Sequence, residues 1–348
     1  MALSVSRKPH LAKKIVMVGG LDGCGKTLFS PIISALERVE LPTYSYEIEH
    51  YCSLNFLQNL SLNAASTLIR MQTDLKLYNM MMGREVNFRP TDLSSVQLYH
   101  NPTQYFDRLF KPGDEVIPDV VRKNNPILNL IIHNILFISD PIWNALGDRC
   151  VYIEVVRHPL YMVRQVTLNM HKLINSVRYF NICYERENKN YPFWVKGWED
   201  LFDQSSDIER TVHYINQTTQ RVEKAKKSLR EKYQANILTI PFEQFVLDPD
   251  PWVEKIALAI GSKITDNTKN VMLQQKVPRE KIAQGLDLEI YKRCGWVPPI
   301  DGATERDELL VRREDVSREA SEEVMLILDK LCEDYEKLYW NPDNFTQT

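Results

Sequence analysis

The chain has 348 residues, 44% of them hydrophobic and 26% charged, with a formal net charge of −3. That length suits one large domain or two small ones, and the composition excludes disorder as the default state. A charge this close to zero gives no global attraction to nucleic acid or to an anionic membrane, so any anion site must be local.

The first strong element is the stretch "KKIVMVGGLDGCGKTLFSPIISALERV". Ile15 to Val18 form an apolar run of the kind found in a buried parallel strand. Leu28, Phe29, Ile32, Ile33 and Leu36 follow at spacings that place them on one side of a helix. Between them lies Gly20-x-x-x-x-Gly25-Lys26-Thr27, a P-loop pattern in its expected strand–helix context. Gly20, Gly23 and Gly25 let backbone N–H groups turn inward around a phosphate, with Cys24 between them. The helix N-terminus adds partial positive charge, and Lys26 adds a full one.

Thr43 to Ile48 alternates and reads as a second strand, with Glu47, Glu49 and His50 at its end. In an open parallel sheet the ligand lies beyond the C-terminal strand ends, although alternating Tyr and Glu equally marks a strand with one buried and one wet face. A helical stretch containing Met80, Met81 and Met82 reads as core filler. Pro102, Pro112 and Pro118 then predict loops.

Ile127 to Ile132 is the next strand and ends at His133. Cys150 to Val156 is another and ends at Arg157-His158-Pro159, where Pro159 suits the first turn of a helix. An aromatic stretch, "NYPFWVKGWEDLF", precedes a long charged helix from Ile208 to Gln234, whose charges read as a solvated face. Ile237 to Ile240 is a further strand, and Asp248-Pro249 opens a helix. An amphipathic helix from Ser317 to Tyr339 carries Val324, Leu328, Leu331 and Tyr335 on one stripe. The six cysteines form no CxxC pair, which argues against a zinc site or a disulfide framework and fits a reducing cytoplasm. The start lacks a signal-peptide core, and no apolar run is long enough to span a bilayer.

Strand–helix alternation predicts an α/β fold, a P-loop-type parallel sheet of about five strands with helices on both faces. The chain reads as one unit, with a core over 10–260 and a C-terminal extension over 261–348 packed on it.

Taken together and in order, these stretches resemble the sulfotransferase family, which uses 3′-phosphoadenosine 5′-phosphosulfate as donor. "RCVYIEVVRHPLYMV" is similar to the family's strand followed by Arg-x-Pro. "FWVKGWEDL" resembles its tryptophan-bearing stretch, and "ILTIPFEQFVLDPDPWVEKIALAIG" resembles its strand ending at an aromatic–Glu pair. "YKRCGW" is similar to its basic, Gly-containing loop. The resemblance implies sulfuryl transfer to a hydroxyl of a small-molecule, sugar or lipid acceptor. It implies that Lys26 and the N–H groups of Gly23 to Thr27 hold the 5′-phosphosulfate, and that Arg157 holds the 3′-phosphate with the Lys292/Arg293 loop closing over it. His133 is the implied base, and Glu47 and Glu49 are its substitutes. No metal site is implied.

Two departures stand out. Gln165 occupies the place of the family's second 3′-phosphate ligand, a serine, and can donate from its amide. "GGLDGCGKT" is itself closer to a nucleotide-kinase loop. Under a kinase reading Lys26 binds the ATP phosphates, Thr27 holds Mg²⁺, Asp140 is the carboxylate on the Mg²⁺ side and Asp22 bears on the acceptor. A third reading is a nucleotide-binding protein without catalysis.

Overall fold

The computed structural model describes residues 4–285 apart from 93 and 175, together with 295 and 303–340. β1 (Lys14–Gly19) leads through a tight loop into α1 (Lys26–Ser34). β2 (Thr43–Tyr44), α2 (Tyr46–Phe56) and α3 (Leu62–Met81) follow, then α4 (Thr103–Arg108), α5 (Ile117–Asn124), β3 (Ile127–Ile131) and α6 (Asp140–Leu146). β4 (Cys150–Val156) runs into α7 (Pro159–Leu173). A hairpin of β5 (Cys183–Arg186) and β6 (Lys189–Pro192) precedes α8 (Glu199–Gln204) and the long α9 (Asp207–Tyr233). β7 (Asn236–Pro241), α10 (Phe242–Leu247), α11 (Asp250–Ile260) and α12 (Asp266–Gln274) come next. α13 (Glu305–Ser317) and α14 (Glu322–Leu338) end the described chain.

Five strands form one parallel sheet in the order β2-β3-β1-β4-β7. β1 is central, as expected for a strand that is apolar throughout and covered on both faces. The register shows which helix covers which face. Asn129 stands opposite Val16 and bonds the Ser34 hydroxyl of α1 at 2.9 Å. Tyr152 stands opposite Met17, the next residue of β1, and so points to the other face. Two residues on, Glu154 receives Lys226 of α9 at 2.9 Å. α1 and α9 therefore cover opposite faces, and the expected α/β architecture is observed.

Three elements differ from the sequence reading. The second strand is only Thr43–Tyr44, and Glu47, Glu49 and His50 lie on α2 rather than at a strand end. Acidic residues in its first turn favour a helix start, and Ile48 and Cys52, one turn apart, are both buried. The C-terminal amphipathic helix begins at Glu322 rather than Ser317, and a separate helix, α13, ends at Ser317 before it. Lys226 is an exception to the solvated face of α9, being buried against Glu154 and Thr239. Among the described residues, no helix is long and apolar enough to cross a membrane.

Candidate active site

The loop from Gly20 to Lys26 leaves the C-terminal end of β1. Gly25 caps α1 at φ 97°, and a Cβ there would sit 2.3 Å from the Phe242 ring, so both conformation and space demand glycine. Gly20, at φ 146°, has the same double constraint: its Cβ would lie 2.4 Å from the Val155 carbonyl oxygen. Gly23 is also at positive φ. Thr27 is half-buried in the first turn of α1.

Lys26 is buried, and its Nζ donates to the carbonyls of Gly20 and Leu21 at 3.3 and 3.4 Å. Asp22 Oδ1 lies 3.7 Å away. Burial opposes the charge on Lys26, but Cys24, Asp22, Tyr44 and Glu49 together raise its pKa. Burial also raises the Cys24 thiol, which is therefore neutral near pH 7, and the two carboxylates are then the partners that keep Lys26 charged.

Arg157, just past β4, comes to the same loop. Its Nη1 donates to the Gly23 carbonyl at 3.0 Å. The guanidinium lies over the rings of Phe242 at 4.3 Å and Tyr161 at 5.0 Å. Glu243 Oε1 is 4.0 Å from its Nε. Gln165, on α7, also faces the loop, its Oε1 3.3 Å from where a Cβ on Gly23 would be. Lys26, Arg157 and Gln165 thus meet around the loop residues Gly20 to Gly23. Lys292 and Arg293, and the rest of the "YKRCGW" loop except Gly295, lie outside the described residues.

His133 follows β3 on the other side of β1. Glu49, almost wholly buried, accepts both its backbone N–H and its ring Nδ1, each at 2.9 Å from Oε1. A carboxylate can only accept, so Nδ1 carries a proton and Nε2 is the ring edge turned away from Glu49. The ring is about a quarter exposed and opens into a cavity of about 180 Å³ shared with Asp22, Tyr46, Trp194 and Tyr214. Glu47 does not line that cavity and instead pairs with Lys76 of α3 at 3.5 Å.

A second cavity of about 920 Å³ touches Gly20, Cys24, Arg157 and Tyr152 and extends between α9 and α14. Asn134 lines both cavities. Sequence reasoning missed Tyr214. Its signal was a run without Asp, Glu, Lys or Arg, Thr211 to Thr218, within an otherwise charged helix.

Asp140, the carboxylate of the kinase reading, is bound by Lys232 at 2.9 Å and by the Tyr233 hydroxyl at 3.1 Å. Those two residues lead into the N-terminal end of β7. Asp140 is therefore at the end of the sheet opposite to the loop.

No family model matches the chain, and no curated protein matches its sequence. Among solved structures, the sulfotransferase domain from the curacin biosynthetic pathway is 12% identical, with a TM-score of 0.43 over 94% of this chain and 98% of that one. The sulfotransferase domain of the Synechococcus PCC 7002 olefin synthase is 11% identical, with a TM-score of 0.37 over 90% and 98%. Sulfotransferase STF1 from Mycobacterium tuberculosis H37Rv is 13% identical, with a TM-score of 0.36 over 81% and 76%.

Proposed function

We propose that the protein is a sulfotransferase that moves a sulfuryl group from 3′-phosphoadenosine 5′-phosphosulfate to a hydroxyl of a small-molecule acceptor. The observation that carries this reading is that one anion-binding loop borders two cavities, with a carboxylate-held histidine in the smaller one. The larger has room for a nucleotide. The donor set fits a phosphorylated ligand: a buried ammonium and a buried guanidinium beside the N-terminus of a nine-residue helix.

When bound, the nucleotide supplies the activated sulfuryl group. Lys26 and the N–H groups of Gly23 to Thr27 hold the phosphate side and steady the charge that builds on the departing oxygen. Arg157 and Gln165 serve the second phosphate. His133 Nε2 takes the acceptor hydroxyl proton, and Glu49 fixes the tautomer and steadies the imidazolium that forms. Asp140 is committed to Lys232 and Tyr233 away from the loop, which weighs against the Mg²⁺-dependent kinase reading.

A thermal-shift and turnover panel tests this. The bisphosphate nucleotide 3′-phosphoadenosine 5′-phosphate is expected to stabilise the protein more than ADP or ATP with Mg²⁺. Sulfuryl transfer is expected to survive chelation of divalent metal, and Lys26→Ala to lower it about a hundredfold or more. Loss of activity in EDTA, or equal stabilisation by ADP, overturns the reading.

A further inference from the structure

The anion-binding loop carries one acid. Asp22 borders the smaller cavity, and its nearest cation, Lys26 Nζ, is 3.7 Å away and already donates to two loop carbonyls. Opposite it stand Tyr46, Phe180, Phe193, Trp194 and Tyr214. The carboxylate is felt across the space. Burial first and Asp22 next raise the Tyr214 phenol, and Asp22 is also among the causes that raise Tyr46 and Tyr179. Besides His133, the lining carries Arg178, which is exposed.

This combination is unusual beside a site for an anion. A phosphate in the loop draws Lys26 to itself and leaves Asp22 as a negative charge next to another negative charge. A cation on the cavity side relieves that repulsion. Aromatic faces around a carboxylate are the chemistry that receives an ammonium group, because the ring quadrupoles and the carboxylate attract it together. A cavity of about 180 Å³ has room for a small molecule.

The geometry points to an acceptor that is a small alcohol bearing an ammonium group, with its cation between Asp22 and the aromatic walls and its hydroxyl towards His133. The fate of the hydroxyl rests on the sulfuryl-transfer reading, whereas the preference for a cation does not.

The test is a matched pair of alcohols, choline and its neutral isostere 3,3-dimethyl-1-butanol. Their binding to the full chain is measured by calorimetry with and without 3′-phosphoadenosine 5′-phosphate. Choline is expected to bind at least tenfold more tightly, and more so with the nucleotide present, since the two ligands favour the same arrangement of Lys26 and Asp22. Asp22→Asn is expected to abolish the preference while leaving the isostere's affinity unchanged. Tyr46→Leu, at a surface position, is expected to weaken choline about fivefold and the isostere less. Equal affinities in the wild type, binding of neither alcohol, or a preference that survives Asp22→Asn overturns the inference. A charge preference without any sulfuryl transfer overturns the proposed function and leaves this inference standing. Turnover of neutral acceptors with no charge preference does the reverse.

Discussion

The strands flanking β1 end in the same device and put it to different use. β3 runs out into His133 and β4 into His158, and in each case the histidine's backbone N–H donates to a buried glutamate, Glu49 at 2.9 Å and Glu243 at 3.1 Å. The rings then diverge. That of His133 turns back to the same carboxylate and shows its other edge to a cavity. That of His158 is wholly buried, with Nδ1 accepting from Leu160 N–H at the start of α7 and Nε2 meeting Glu336 of α14 at 3.2 Å. Glu243 meanwhile accepts from the Tyr335 hydroxyl, also on α14. A buried carboxylate at a strand end is therefore not itself a mark of chemistry. The open edge of the imidazole is what separates a group that can move a proton from one that fastens two elements together.

The largest expected effect tests the fastening side. Glu243→Ala leaves the His158 N–H and the Tyr335 hydroxyl without their acceptor and takes a charge from beside Arg157. It should cost about 3 kcal/mol or more of stability, read as a loss of several degrees in Tm, whereas Glu49→Gln should leave Tm almost unmoved. Comparable melting losses for the two would erase the distinction. On the chemical side, His133→Asn should lower kcat about a hundredfold with little change in stability. Glu49→Gln should lower it about tenfold, since an amide still bonds the ring but no longer steadies its cation. His158→Asn should show the opposite pattern, destabilising without a matching loss of kcat per folded molecule. Arg157→Ala should weaken the bisphosphate nucleotide about tenfold while leaving ADP nearly unchanged, as expected for one charge-assisted contact. Equal weakening of both ligands in titration would show that the arginine supports the loop and not the second phosphate.

The smallest effect comes from a third glutamate that also accepts backbone N–H groups, but near the surface. Glu209 takes those of Ser206 and Ser321 at 3.0 and 3.1 Å, and these bonds, with that of Ser206 foremost, hold its carboxyl at about 2 against an ordinary 4.5. A depressed folded-state value stabilises above pH 4.5 and is lost as pH falls towards 2. Glu209→Gln should therefore melt slightly below the wild type at neutral pH, and the gap should close over that acid window. A gap independent of pH would mean that the contact is worth the same charged or neutral.

The sequence disclosed this molecule unevenly, for physical reasons. β1, β3, β4 and β7 are legible because buried parallel strands are continuous apolar runs. The loop is legible because its glycines and Lys26 are close together in sequence. α2 was not, because alternating Tyr and Glu mimics a strand over six residues. The cue to the contrary was Ser45 followed by acids in the first turn. Glu49 and His133 were each visible as candidates, but their pairing spans 84 residues and depends on α2 lying beside the end of β3. No local pattern encodes that. Asp22 was in plain view in the loop, and its position facing a ring of aromatics became apparent only in three dimensions.

The attachment of α14 has a consequence for the order in which the protein is made. The loop, Arg157 and Glu243 are all synthesised well before Tyr335 and Glu336, which close over them. A nascent chain released as far as α10 owns the sheet, every loop residue and Glu243, yet Glu243 still waits for one of its donors and His158 for its acidic partner. The site is therefore finished from the last stretch of the chain backwards, and a ribosome halted in α13 would display a folded sheet whose arginine is not yet held as in the finished protein.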